Sequence, residues 1–130
     1  MLFRSALAKA LGARISAIHV IEPYMPPVTD LAWVYPDPWS PEDYEKAATK
    51  ASSVFLVQAM AEAKNAGVAC ETQSVIAGAP WDTIVKTAAK RRCDLIVMAS
   101  HGRRGFASML LGSETQKVLT HASIPVLVCR

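Results

Sequence analysis

The segment from 99 to 119 contains residues whose types and spacing could hold a phosphate group. Three glycines permit close approach of a ligand to the backbone: Gly102, Gly105 and Gly112. Ser113 then begins a stretch with the pattern of a helix, and the first amides of a helix lack backbone partners at the end where the dipole favours negative charge. Arg103 and Arg104 add positive charge that could neutralise phosphate. These groups are suited to binding a polyphosphate.

The loop lacks two familiar phosphate-binding patterns. Neither G-x-x-x-x-G-K-[ST] nor G-x-G-x-x-G occurs in the chain. On the residues alone, a ligand-binding loop and a plain connection between a strand and a helix are about equally good interpretations.

Helices and strands are predicted to alternate four times along the chain. Strands are predicted at 14–21, 68–76, 94–99 and 126–129. The first helix ends at Gly12, the second runs from a Ser40 cap to Ala66, and the third follows the turn at 78–80. The fourth helix begins with an S-x-x-Q capping box, Ser113 to Gln116. This alternation predicts an α/β fold with an open, twisted parallel sheet and helices on both faces.

The first helix has four apolar residues on one face: Phe3, Leu7, Ala10 and Leu11.

Composition predicts one soluble domain over 1–130. A chain of 130 residues with 52% hydrophobic residues can bury one substantial core. No apolar stretch approaches the roughly 20 residues that cross a bilayer, and the N-terminus has no cleavage signal, so we expect no membrane association and a cytoplasmic location. The net charge of +3 is a mild bias without a recognition motif, so no nucleic-acid partner is expected.

Other candidate chemistry is weaker. Ser100 and His101 are adjacent, so their side chains diverge, and no acid is placed to orient the imidazole; no catalytic triad is predicted. His19 lies in a predicted strand, where a structural role is favoured over catalysis. The cysteines and His121 lack metal-ligand spacing, so no metal site is predicted. The three cysteines are expected to be buried free thiols: Cys70, Cys93 and Cys129.

The stretch from Val97 to Arg130 closely resembles the C-terminal half of the universal stress protein family, and the turn "GAPWDTIVKTA" resembles the start of that family's third helix. Nucleotide-binding members carry G-2x-G-9x-G-[ST], in which the glycines and the terminal hydroxyl bind the ribose and phosphates of ATP. Gly102, nine further residues and Gly112-Ser113 match the second half of this motif. Ala99 stands where the motif has its first glycine.

The resemblance implies the three-layer, adenine-nucleotide-hydrolase-like fold with its first strand missing. In the family that strand ends in an acidic residue at the adenine and ribose, and it lies in the middle of the sheet. Its absence is expected to leave two neighbouring strands without backbone partners and to weaken nucleotide binding.

The resemblance also implies a set of site residues. Val20 and Met98 would contact the adenine. Five residues would lie near the ribose and phosphates: Ala99, Gly102, Gly112, Ser113 and Glu114. The implied ligand is ATP, or else AMP or ADP, and Mg²⁺ would enter only with the triphosphate. No positioned general base is evident, so no catalytic residue is predicted and ATP hydrolysis would be very slow at most.

The leading hypothesis is an adenine-nucleotide-binding regulator of the stress response. It would be a homodimer through the last strand, Val126–Cys129, which in the family commonly pairs with its copy. The alternative is a dimeric interaction module of the same fold that works without nucleotide. Gly102, Gly112 and Ser113 favour the first interpretation, and Ala99 and the missing acidic strand favour the second. An enzyme transferring adenylate or sulfur is disfavoured because no reactive cysteine pair or catalytic motif is present.

Overall fold

The computed structural model describes residues 2–26, 40–100 and 111–130. Helices and strands alternate in the predicted order: α1 (Leu2–Leu11), β1 (Ile15–Ile21), α2 (Pro41–Ala66), β2 (Cys70–Ile76), α3 (Pro80–Lys90), β3 (Ile96–Ala99), α4 (Ser113–His121) and β4 (Val126–Cys129). The chain forms two compact units, 1–78 and 79–130. The single domain over 1–130 stays a prediction.

The long helix of the first unit, α2, is bounded by the residues that the sequence indicates. The Ser40 hydroxyl accepts a hydrogen bond from the Asp43 amide at 3.1 Å, and Pro41 occupies the first helical position. At the other end, Gly67 adopts a left-handed φ of 72°, and its amide donates to the Lys64 carbonyl at 3.0 Å. A side chain at this φ would be strained, so glycine is the natural residue to end the helix.

In the first unit, β1 and β2 pair in parallel along their full lengths. The register runs from Ile15 opposite Cys70 to Ile21 opposite Ile76. Three buried residues, drawn from α1, α2 and the turn before β2, form a small core: Ala8, Ala63 and Val68. Because Ile15 and Cys70 pack against these residues, the core joins the helices to the first residues of both strands.

Helix α1 buries small side chains and leaves large ones uncovered. Ser5 and Ala8 are buried, whereas Phe3 is 55% exposed and Leu11 is 64% exposed. Ala8 belongs to the same core cluster as Ala63 of α2, and small side chains allow two helices to approach closely. The predicted apolar face of α1 is therefore not its buried face.

The second unit contains the other parallel pair, β3 and β4, with Ile96 opposite Val126 and Ala99 opposite Cys129. Its core is made of Ala88, Ile96 and Val118. The predicted α/β fold with parallel strands is confirmed. Among the described residues, β1 pairs only with β2 and β3 only with β4, so each of these strands has a single strand partner there.

The three cysteines are free thiols, as predicted. Each of them is partly exposed, however, so the expectation that they are buried is wrong. Cys70 and Cys93 are partly buried and pack against the two cores without belonging to them. Within the ranges that the structure describes, no helix is both long enough and apolar enough to span a bilayer.

Candidate functional site

The start of α4 differs from the predicted capping box. Gly112 is the N-cap, with φ −60° and ψ 148°, and Ser113 is the first helical residue. The Gln116 side-chain amide donates to the Leu111 carbonyl at 3.1 Å and so lies outside any capping box. The S-x-x-Q prediction is therefore wrong by one position, because glycine at an N-cap is nearly as favourable as serine.

The first turn of α4 has hydrogen-bond donors that find no acceptor in the part of the chain that the structure describes. Gln116 is the first residue whose amide bonds back along the chain, to the Gly112 carbonyl at 3.0 Å. The amides of 113–115 have no acceptor among the residues that the structure describes. Ser113 is exposed, and its hydroxyl likewise has no partner within those residues. Three amides and one hydroxyl thus lie at the positive end of the helix dipole, where an anion is favoured.

Hydrogen bonds connect this turn to the end of β3. The Thr115 hydroxyl donates to the Ala99 carbonyl at 3.0 Å, with the Ser100 carbonyl at 3.4 Å. The Gly112 amide donates to the same Ser100 carbonyl at 2.8 Å. The Ser100 amide in turn donates to the Cys129 carbonyl at 2.7 Å, which continues the pairing of β3 with β4. The end of the strand and the start of the helix are therefore held together.

The Glu114 side chain is directed to another helix. Its Oε2 accepts a hydrogen bond from the Trp81 amide at 2.8 Å, and its Oε1 lies 3.0 Å from Lys117 Nζ. The Glu114 carboxylate thus binds α3 and Lys117. The backbone amide of Glu114 has no acceptor among the described residues and can donate to an anion. Sequence reasoning missed this contact. The only signal was Ala79, which as N-cap of α3 has no side-chain cap hydrogen bond of its own.

The structure brings together part of the predicted site. Ala99, Gly112, Ser113 and Glu114 lie at the junction of β3 and α4. Met98 is half-buried in β3 and packs against the core of its unit.

The structure does not test the placement of the other predicted site residues relative to this junction. Val20 is half-buried near the carboxyl end of β1, in the first unit. Gly102 and Arg103 lie outside the described residues, as do Arg104, Gly105 and His101.

His19 takes part in a polar network inside the first unit. Its Nδ1 lies 2.8 Å from the Ser52 hydroxyl, which is 3.0 Å from the Ser74 hydroxyl. Ser52 is completely buried, and the His19 ring stacks on Phe55 with centroids 5.6 Å apart. A histidine of β1 that contacts Ser52 and Phe55 of α2 in this way suits the structural interpretation.

The donors at the start of α4 fit an anionic group such as phosphate. Free amides supply directed hydrogen bonds, the Ser113 hydroxyl adds one more, and the nearby acid is turned away to the Trp81 amide. Repulsion of a bound anion by this carboxylate is reduced because Lys117 also faces it. These residues could hold a phosphate, and no general base is seen among them.

The universal stress protein family model matches residues 2–130. The chain belongs to this family. A universal stress protein of Thermus aquaticus is 34% identical over 125 residues, which cover 96% of this chain and 83% of that protein. A second universal stress protein, from Methanocaldococcus jannaschii, is 32% identical over 126 residues and covers 95% of this chain and 69% of its own length.

Solved universal stress proteins share the fold. That of Lactobacillus plantarum superposes with a TM-score of 0.78 at 22% identity, over 98% of this chain and 85% of that one. A universal stress protein in complex with cAMP superposes with a TM-score of 0.63 at 24% identity, over 99% of this chain and 83% of that one. A universal stress protein from Archaeoglobus fulgidus in complex with dAMP superposes with a TM-score of 0.64 at 22% identity, again over 99% of this chain and 83% of that one. These likenesses confirm the α/β fold and are consistent with its three layers.

Proposed function

We propose that this universal stress protein is a regulator that binds an adenine nucleotide at the start of α4. The observation that carries the proposal is the set of amides at 113–115, which have no acceptor among the described residues, beside a carboxylate that is already engaged by Trp81. Two solved proteins of the same fold hold cAMP and dAMP, each an adenine nucleotide with a phosphate group. A phosphate on the free amides gains hydrogen bonds and a favourable helix dipole together.

The proposed ligand is ATP, with AMP and ADP as alternatives. Its phosphates bind the amides of 113–115 and the Ser113 hydroxyl, and the ribose lies near Ala99. Gly102 and Arg103 belong to the same proposed site, as does Met98 on the adenine. Mg²⁺ accompanies the triphosphate only. Nucleotide occupancy would then signal stress through the protein's partners.

A second candidate function is a dimeric interaction module that works without nucleotide. Strand β4 pairs only with β3 among the described residues, so its other edge is available there for a second copy. Such an edge is readily covered by a matching strand in a symmetric dimer. In this alternative, Val126–Cys129 forms the interface, and the methyl group of Ala99 leaves less room for a ribose.

Isothermal titration of the purified protein with ATP, ADP, AMP and GTP tests the proposal. We expect binding of the adenine nucleotides in preference to GTP. Gly112→Leu places a bulky side chain beside the free amides and should abolish binding. Its φ of −60° is open to any residue, so the cost in stability is about 1 kcal/mol for the lost N-cap preference.

Gly78→Leu is the matched control. Apart from Gly78 itself and its two chain neighbours, no heavy atom of the described residues lies within 4 Å of the position where a Cβ would stand at Gly78, so this substitution should leave nucleotide binding unchanged. Retained binding in Gly112→Leu would refute the site. Absence of binding in the wild-type protein, together with a dimeric mass in light scattering, would favour the interaction module.

A further inference from the structure

We propose that Thr115 is the positioning residue of the anion site. Its hydroxyl holds the first turn of α4, and with it the free amides of 113–115, at a fixed place relative to the end of β3. The ligand-binding part of this inference rests on the proposed function. The structural part does not, because the contacts of Thr115 exist without a ligand.

Thr115 is buried, and its hydroxyl contacts residues outside its own helix. Only 3% of Thr115 is exposed, and 9% of Ser100. The Thr115 hydroxyl has one hydrogen to donate, and it lies 3.0 Å from the Ala99 carbonyl and 3.4 Å from the Ser100 carbonyl. Since the first distance is the better hydrogen bond, the end of β3 is the main partner.

The same strand end receives a second bond from the start of α4. The Gly112 amide donates to the Ser100 carbonyl at 2.8 Å. Two successive carbonyls, those of Ala99 and Ser100, therefore accept hydrogen bonds from the first turn of α4 and from its N-cap residue. Two attachment points fix the direction of the first turn relative to the end of β3, whereas one bond alone would fix it less well. The amides that would meet a phosphate lie between these two attachments.

Orientation matters because directed hydrogen bonds lose strength quickly when donors are displaced. A binding site performs well when its groups are held within about 0.5 Å of the required geometry. Valine has the shape of threonine but no hydroxyl. Thr115→Val therefore removes one of the two attachments and leaves the amides themselves intact.

Thr120 provides a matched control on the same helix. Its hydroxyl donates to the Gln116 carbonyl at 2.8 Å, within α4, and the residue is exposed. Thr120→Val thus removes a threonine hydroxyl from α4 without touching β3. A difference between the two variants reports on the attachment to the strand and not on helix propensity.

Two measurements on the full chain test the inference. Titration with ATP should show binding to Thr115→Val at least about tenfold weaker than wild type, and binding to Thr120→Val unchanged. Amide hydrogen exchange without nucleotide should show faster exchange at Gly112 in Thr115→Val alone, because this amide then makes the remaining bond from the start of α4 to the strand end among the described residues. Thermal melts define a temperature at which every variant is folded.

A second pair of variants separates the hydroxyl from the methyl group. Thr115→Ser and Thr115→Ala both lose the methyl group and differ by one hydroxyl, so only the serine variant should keep ATP affinity and slow exchange. This pair decides the matter if Thr115→Val does not fold. A merely structural role would lower the melting temperature of both and leave their ATP affinities equal.

The two proposals fail in different ways. If wild type does not bind ATP, the proposed function fails, and the positioning role is then decided by the exchange rate at Gly112. Equal exchange at Gly112 in Thr115→Val and Thr120→Val would overturn it. Wild-type ATP affinity in a folded Thr115→Val would overturn it as well.

Discussion

The Glu114 carboxylate accepts a hydrogen bond from the backbone amide of Trp81, with 2.8 Å between Oε2 and the nitrogen. Glu114 is the second residue of α4 and Trp81 is the second residue of α3. The acid therefore caps a helix that has no capping side chain of its own. The Trp81 ring also packs on the His121 ring, with centroids 4.4 Å apart, so α3 and α4 are joined near both ends of α4.

Glu114→Ala should lower the free energy of unfolding by about 1–2 kcal/mol, because the Trp81 amide loses its acceptor and α3 its cap. Glu114→Gln keeps an oxygen that can accept this bond but loses the charge that favours a helix N-terminus. Glu114→Gln should therefore lower the free energy of unfolding by less than Glu114→Ala, by about 0.5–1 kcal/mol. Urea denaturation followed by circular dichroism measures both values.

Glu62→Ala is the control for Glu114. Glu62 accepts a hydrogen bond from the Gln58 side chain one turn away on α2, in an exposed pair. Its replacement should change stability by no more than about 0.5 kcal/mol. Equal stability of Glu114→Ala and the wild-type protein would show that the contact with Trp81 contributes nothing in solution.

Ser52 is the centre of the buried network with His19 and Ser74. Ser52→Ala leaves both partners without their shared hydroxyl, so we expect a loss of about 1–3 kcal/mol in the free energy of unfolding. Ser53→Ala, on the next residue, removes an exposed hydroxyl that donates to the Lys50 carbonyl of the same helix. That change should be nearly neutral in the same denaturation measurement, and equal effects at the two serines would count against the network.

Local signals in the sequence were sufficient to predict the helices and strands. Ser40 with Pro41 places the start of α2, and Gly67 places its end, because each acts through its own backbone or its near neighbours. The order of strand, glycine-rich loop and helix likewise predicts where the proposed anion site lies, after β3, and that site stays a prediction. Parallel pairing follows from the regular alternation of helices and strands.

Contacts between residues far apart in the sequence could not be predicted in the same way. Glu114 and Trp81 are 33 positions apart, and neither residue type indicates the other. Thr115 was overlooked because a threonine inside a helix carries no motif, although its hydroxyl reaches two strand-end carbonyls. The buried face of α1 could not be predicted from the sequence either, because close packing favoured Ser5 and Ala8 over larger apolar neighbours.

Arg103 should matter more for ATP than for AMP. It lies outside the described residues, so this expectation comes from its place between Gly102 and Gly112 in the sequence. If it neutralises phosphate, Arg103→Ala should weaken ATP binding by about tenfold, corresponding to about 1.4 kcal/mol, and AMP binding by less. Arg14→Ala removes an exposed arginine after α1 and serves as the control in titrations at two salt concentrations. Equal losses for ATP and AMP would contradict the role.

Cys70 should be a slow nucleophile. Burial raises the pKa of its thiol above the ordinary value of 9.0, and the negative charge of Glu71 raises this pKa further. Because only the thiolate reacts, iodoacetamide at pH 8 should modify Cys70 more slowly than a cysteine in an unfolded peptide. By the same linkage, the folded state retains the proton longer than the unfolded chain, so this thiol's contribution to stability is present at neutral pH and is lost as the pH rises above 9.0.

Glu71→Gln separates the two causes of the raised Cys70 pKa. It removes the charge and leaves the burial, so modification of Cys70 should become faster while staying slower than in the unfolded peptide. Glu62→Gln, on α2, removes an acid that does not shift this pKa and should leave the rate unchanged. Mass spectrometry of the peptide containing Cys70 reads the rate without interference from Cys93 and Cys129. A rate in Glu71→Gln equal to that of the wild-type protein would assign the whole effect to burial.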